Sequence, residues 1–163
     1  MYKVYQKIIL ACLLLIVAGT VCGQRVTQTI NDGWKFSLFE GDAFDADFDV
    51  SGWTDVSIPH TWNADPVNGT TLYERQTMVY QRPLEITSEM EGKRLFLYFE
   101  GVNSVAQVFL NRRTVGEHLG GYTAFCYEIT DQVKVGKNLL EVWVSNAYRT
   151  DVLPISGDFN VNG

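Results

Sequence analysis

The sequence predicts an all-β domain, a β-sandwich or jelly roll, and three observations carry the prediction. Beyond residue 23, apolar side chains recur at period two in short runs. Gly, Asn, Asp and Pro separate those runs at regular spacing. No stretch there repeats apolar residues at the three-to-four spacing of an amphipathic helix. Alternation at period two places one set of side chains on each face of a strand, which is what a half-buried sheet needs. Roughly eight or nine such runs favour a sandwich over a βαβ arrangement.

Asn31-Asp32-Gly33 is a turn, and Trp34 to Phe39 follows it as a strand. Glu40 to Gly52 is acidic, with Phe44 and Phe48 spaced for one helical turn or for a loop pinned by its rings. Trp53 to Pro59 reads as a short strand ending at Pro59-His60. Asp65-Pro66 and Asn68-Gly69 make 64–71 a loop. Met78 to Ile86 is a strand in which Pro83, lacking an N–H, predicts an edge or a bulge. After a polar turn at 88–93, Arg94 to Phe99 is the strongest strand signal; apolar on both faces, it predicts a central strand. Ser104 to Leu110 and Thr114 to Leu119 form a hairpin about Asn111-Arg112-Arg113. Arg112 tolerates positive φ poorly, which favours a three-residue turn over a primed two-residue one. Thr123 to Ile129 and Asn138 to Ser145 complete the set, with a turn about Gly136 between them. Phe99, Val108, Leu110 and Phe125 are expected in the core, and Gly101, Gly120 and Gly121 in turns.

The first 23 residues differ from the rest. Lys3 and Lys7 precede an aliphatic run from Ile8 to Ala18, and Thr20, Cys22 and Gly23 supply small residues after it. The run falls short of the roughly 20 residues a spanning helix needs, so 1–23 reads as a signal peptide cleaved after Gly23, with export to a periplasmic or extracellular location and no membrane attachment after cleavage. Cys22 keeps lipid attachment open, although Val21 stands where that modification prefers a small side chain. Residues 24–163 then form one domain, about 140 residues, enough to bury its own core. The whole chain has 13 basic and 19 acidic residues; with two lysines in the leader, the remainder is more acidic still. That argues against nucleic acid as a partner. Cys126 is the sole cysteine after the leader, so stability rests on packing rather than an internal disulfide.

Gly33-Trp34-Lys35-Phe36, Trp53 with Ile58-Pro59-His60-Thr61-Trp62, and the run from Phe99 to Phe125, taken in order, resemble the N-terminal sugar-binding domain of glycoside hydrolase family 2, the family of many β-galactosidases. Gly33-Trp34-Lys35-Phe36 is similar to its opening strand, and Trp53 with Ile58-Pro59-His60-Thr61-Trp62 to its Trp…Pro-His-x-Trp element. Tyr80 falls where that domain has a Tyr-bearing strand. Phe99-Glu100-Gly101-Val102, Ala106, Val108, Leu110-Asn111, Val115-Gly116, His118, Gly120-Gly121-Tyr122 and Phe125 match its central block. Gly136-Lys137-Asn138, Leu140, Val142 and Val144 resemble its penultimate strand, and Pro154 with Gly157-Asp158-Phe159 the segment leading to its last. Asn111-Arg112 departs from the family's usual Asn-Gly. The sequence given stops at Gly163, before the family's Ile-Tyr-Arg-like strand, so the expected domain, a jelly roll of the galactose-binding-domain-like type, lacks its last strand here.

The resemblance implies a parent β-galactosidase-like exo-glycosidase, with an immunoglobulin-like domain and a catalytic barrel beyond this sandwich, and a carbohydrate substrate. Retaining glycosidases work with two carboxyl groups about 5 Å apart. In family 2 the barrel supplies both, so Glu74, Glu100, Glu117, Glu128 and Glu141 receive no catalytic role here. Asp158 is the implied substrate contact: a matching aspartate reaches the barrel's active site and holds sugar hydroxyls, with a monovalent cation in some members. A carboxylate suits that task because it accepts charge-assisted hydrogen bonds. Arg75, in Tyr73-Glu74-Arg75, occupies the place of a second reaching loop. No cofactor is implied for the domain itself, and subunit contacts are left open.

Trp34, Trp53, Trp62 and Trp143 lie in or beside strands, favouring core packing over sugar stacking. His60 reads as a hydrogen-bonded structural histidine and His118 as outward-facing; with no Cys, Asp or Glu cluster joining them, no metal site is expected. Serines lack a nucleophile-elbow pattern, and no Gly-rich phosphate loop is present. Three readings remain: a non-catalytic domain shaping the active site of an exo-glycosidase, a free-standing carbohydrate-binding module, or a structural fragment without a ligand. Which terminal sugar the parent removes is open, since family 2 also holds β-mannosidases and β-glucuronidases.

Overall fold

The computed structural model describes residues 5, 23, 25–39, 50–64 and 75–152. The rest of the leader, Gln24, the acidic segment at 40–49, the loop at 65–74 and residues 153–163 lie outside them. The described residues fold into eight strands: β1 (Trp34–Leu38), β2 (Thr54–Val56), β3 (Thr77–Ile86), β4 (Phe96–Phe99), β5 (Val105–Leu110), β6 (Arg113–Leu119), β7 (Phe125–Glu128) and β8 (Gly136–Ser145). Six form an antiparallel sheet in the order β2-β1-β3-β8-β5-β6, and β4 pairs β7 in a second sheet. The arrangement is all-β and sandwich-like, as the alternation predicted.

The spine of the large sheet is β3 against β8, paired without interruption from Thr77↔Ser145 to Ile86↔Gly136. Its inward rows are apolar. Phe36, Tyr80, Val142 and Val108 stand opposite one another across four strands, beside Leu110, Leu140, Met78, Val144 and Ala106 in one core. Leu97, Phe99, Phe125 and Tyr127 of the small sheet pack on that core. Phe99 stacks on Phe125 with centroids 4.7 Å apart. β7 lies so close over β6 that a Cβ on Gly116 would fall 2.4 Å from the Tyr127 ring; only glycine fits there.

Four details depart from the sequence reading. First, β4 is not apolar-buried on both sides: Leu97 is buried, but Phe96 and Tyr98 are 48% and 58% exposed. Their row continues to Glu128 and Cys126 on β7, and Arg94 covers the Phe96 ring while ion-pairing with Glu128 at 2.6 Å. A run of rings and aliphatics does not by itself reveal that its second face is amphipathic.

Second, the β5–β6 turn has two residues. Leu110 pairs Arg113, with Asn111 at φ 50° and Arg112 at φ 65°, the conformation of a type I′ turn. Arg112 is tolerated because Asn111 is fixed. The Asn111 amide donates to Gln132 O (3.2 Å) and to Asn138 Oδ1 (2.9 Å), and its Oδ1 accepts from Leu139 N (3.0 Å). Asn138 Oδ1 also accepts from Lys134 N (3.0 Å), and its Nδ2 donates to Lys134 O (2.7 Å) and Gly136 O (3.0 Å). The extra residue lies instead in β6, where the register shifts between Val108↔Gly116 and Phe109↔Thr114; the skipped residue, Val115, forms a bulge.

Third, His118 faces inward. It pairs with fully buried Ala106, its ring stacks on Phe125 at 4.1 Å, and its Nε2 lies 3.0 Å from Thr123 Oγ1. Fourth, of the edge or bulge expected at Pro83 only the edge forms: β3 is internal to the sheet, but β1 pairs only with Met78 to Gln81, so among the described residues no strand flanks Pro83 on that side. There Arg82 replaces a strand. Its Nε donates to Pro83 O (3.1 Å), and its Nη1 to Asp32 O (2.7 Å) and Ile30 O.

The outer face of the large sheet is also partly closed. Trp143 lies between Phe39 and Phe109, with centroids 4.8 and 4.4 Å away. In the next row Glu141, 5% exposed, accepts from Gln81 Nε2 at 3.2 Å. Burial pushes its carboxyl above the ordinary carboxylate range, against the Gln81 hydrogen bond and the Arg112 charge, which pull it down.

Two expectations follow from this packing. Gly116→Ala should destabilise the fold by about 1–3 kcal/mol through overpacking, and combining it with Tyr127→Ala should cost less than the two single losses together, measured by urea denaturation. Glu141 folds more readily protonated than charged, so its contribution is greatest at acid pH and is lost as pH rises through its raised folded value. Glu141→Gln, which keeps an acceptor for Gln81, should therefore melt higher than the natural chain at pH 7. The gap should close as pH falls to 4.

Candidate functional site

The strand register brings four chain segments to one end of the large sheet. The start of β3, the end of β8, the start of β5 and the end of β6 lie side by side, through Thr77↔Ser145, Val105↔Ser145 and Val105↔Leu119. Adjacent strands are roughly 5 Å apart, so residues just beyond these ends form one continuous rim.

Hydrogen bonds hold that rim together. Asn146, 5% exposed, accepts from Gln76 N through its Oδ1 at 2.9 Å, and its own N–H donates to Gln76 O at 3.3 Å. Ser104 donates to Ser145 O through both its amide and its hydroxyl, each at 3.1 Å. Gly120 N donates to Ser104 O at 2.8 Å. The side chain at 146 thus extends the β3–β8 ladder one step past its last pair.

Arg75 stands on this rim. Its guanidinium carbon lies 5.8 Å from the centre of the Tyr148 ring, within range of a cation–π contact. Tyr148 is 62% exposed, and Tyr122, past the end of β6, is exposed too. Arg149 forms a bidentate pair with Asp151 at 2.9 and 2.5 Å, which holds the Asp151 carboxyl below its usual range. Asp158 lies outside the described residues, and with it the position implied for a cation. Among the described residues, no three His, Cys, Asp or Glu side chains converge as a metal site.

Four other singled-out residues, Trp34, Trp62, His60 and Glu128, are held by contacts within the fold. Trp34 and Trp62 are in the core, and Trp34 Nε1 donates to Ile30 O at 2.8 Å. His60 is half-buried, with Nδ1 2.7 Å from the Tyr80 hydroxyl and its ring edge-on to Phe36. Glu128 is engaged by Arg94 and Thr130, which bring its carboxyl down to about 2. Asn146 and Tyr148 were not singled out from the sequence; an Asn directly after the strongly alternating 138–145 run was the available signal.

The family model for the sugar-binding domain of glycosyl hydrolases family 2 matches residues 27–163. The chain belongs to glycoside hydrolase family 2. Among its curated family relatives, a β-glucuronidase of Bacteroides fragilis is 44% identical over 92% of this chain and 21% of its own length. A β-galactosidase of Thermoanaerobacter pseudethanolicus is 36% identical over 79% of this chain and 16% of its own. Among solved family 2 structures, Bacteroides uniformis β-glucuronidase 2, covalently bound to cyclophellitol-6-carboxylate aziridine, superposes with a TM-score of 0.76. The two are 43% identical, and the match covers 86% of this chain and 17% of that one. The chain therefore spans about a fifth of the length of the relatives it matches.

Removing the Asn146 carbonyl leaves Gln76 N–H without its acceptor, a cost of about 1–3 kcal/mol. Asn146→Ala should lower stability by that amount, with faster amide exchange at Gln76 than at mid-strand Gln81, read by hydrogen exchange.

Proposed function

We propose that this chain is the non-catalytic N-terminal sandwich of an exported exo-acting β-glycosidase, and that the longer protein removes terminal β-D-glucuronic acid. The reading rests on one observation above others: 44% identity to a β-glucuronidase across nearly the whole chain, ahead of the 36% to a β-galactosidase. This moves the sugar away from the galactoside that the sequence motifs favoured.

The domain's own acids suit support rather than chemistry. Glu128 and Asp151 are each tied to an arginine, and Glu141 is buried against Gln81. Hydrolysis with retention needs a free acid/base and a nucleophile about 5 Å apart, which a barrel elsewhere in the longer protein would supply. The rim bearing Arg75 would then border the barrel's pocket and shape its sugar subsite, with Asp158 as a second contact. Export rests on the 1–23 leader. Assembly with an immunoglobulin-like domain and with further subunits belongs to the same reading.

The test starts with the gene. The proposal expects the reading frame to continue past Gly163 into a barrel with two catalytic glutamates. The secreted product should begin at Gln24 and release p-nitrophenol from the β-D-glucuronide far faster than from the β-D-galactoside. The 163-residue chain alone should release none. Preference for the galactoside overturns the sugar assignment. A frame that closes at Gly163, with sugar affinity in the isolated domain, overturns the whole reading in favour of a free-standing binding module.

A further inference from the structure

Among the described residues, the exposed rings are those of Tyr5, Phe96, Tyr98, Tyr122 and Tyr148. Phe96 and Tyr98 lie on the outer face of β4, where Arg94 already covers Phe96. Tyr148 stands on the strand-end rim, three residues past the end of β8. Its surroundings are built to hold it. Asn146, two residues earlier, is buried and bonded twice to Gln76; Ala147 N donates to Ser145 Oγ at 3.3 Å; and Val152, four residues later, is buried. Between these anchors Tyr148 remains 62% exposed, with the Arg75 guanidinium over its ring. An exposed aromatic ring normally gains from burial, so a ring left in water between two anchored backbone positions at a polar rim is suited to a ligand that is apolar on one face and hydroxylated at its edge. A pyranose has that form: its axial C–H groups make an apolar face, and its hydroxyls project around it.

From this we infer that Tyr148 is a stacking platform for a pyranose ring, with Arg75 as a positioning residue that fixes the platform's orientation. The inference rests on the sugar-binding reading above and adds a residue that reading does not contain. Tyr148 takes the C–H face of the sugar. Arg75 acts through the tyrosine, holding the ring by its charge. Holding a side chain in its bound orientation beforehand reduces the ordering cost of binding.

The experiment titrates the 163-residue chain with methyl β-D-glucuronide and, separately, methyl β-D-galactoside, following tyrosine ring signals by NMR. Both sugars should shift the Tyr148 ring signals. Tyr148→Ala should weaken binding by about tenfold, worth ~1.4 kcal/mol, and Tyr148→Phe should bind within about twofold of the natural chain, since the ring is kept. Arg75→Met should weaken binding, and Arg75→Lys should restore most of it. A merely structural Arg75 would change melting temperature without this pattern of rescue. Stronger shifts with the glucuronide assign the site to acidic sugars, and equal shifts assign it to pyranoses in general; both support the platform. Shifts confined to Tyr98 or Tyr122, or no shift with either sugar, overturn it. If glucuronide hydrolysis by the longer protein stands while Tyr148 is silent, only this inference falls.

Discussion

Strand β8 is held at both ends by an asparagine, and the geometry of the domain depends on those two side chains. At one end the Asn111 amide donates to Asn138 Oδ1, and both side chains direct their remaining amide groups at backbone. At the other, Asn146 imitates a further rung of the ladder to β3. A buried amide is costly when any of its groups lacks a partner. Full satisfaction at Asn138 therefore specifies a single arrangement of the β5–β6 turn, the Gln132 turn and the entry to β8. With both ends of β8 fixed, β3 and β5 have one register each, and the rim that carries Arg75 and Tyr148 is set by the sheet rather than by loose loops.

Packing across the two layers supports the same arrangement. The Tyr127 ring occupies the space where any side chain at 116 would stand, so β7 can approach β6 closely only opposite this glycine. The neighbouring contact, His118 on Phe125, needs the same approach. The bulge at Val115 lies one residue away. Local twist at a bulge increases, while β5 keeps an unshifted register against β8 from Val105↔Ser145 to Leu110↔Leu140.

Much of the fold was legible because period-two alternation survives in nearly every strand: Leu140, Val142 and Val144 face the core, as their spacing said. Gly136 with its φ of 94° marked the entry to β8. Other features were hidden for physical reasons. The strand at 94–99 looked two-sided because hydropathy does not register that Arg94 and Glu128 together can cover an aromatic ring in water. The direction of His118 followed from its register with Ala106, which depends on the bulge and not on local sequence. The type I′ turn at Arg112 is unfavourable locally and is stabilised by Asn138, 26 positions later in the chain. Of the candidate site, Arg75 was named through the family resemblance, whereas Tyr148 needed the sheet register that carries the start of β3 to the end of β8.

The Arg82 guanidinium, just before the start of β1, has a consequence for how copies of this chain meet. Where β3 runs past β1, its outward carbonyls would offer a template for another strand. Arg82 claims the Pro83 carbonyl and ties it to those of Ile30 and Asp32, while Pro83 itself presents no N–H. A second molecule approaching this edge would find a charge where it needs an acceptor and a ring where it needs a donor. The same two adjacent residues that finish the sheet within one molecule thus withdraw this stretch of its edge from pairing with another strand.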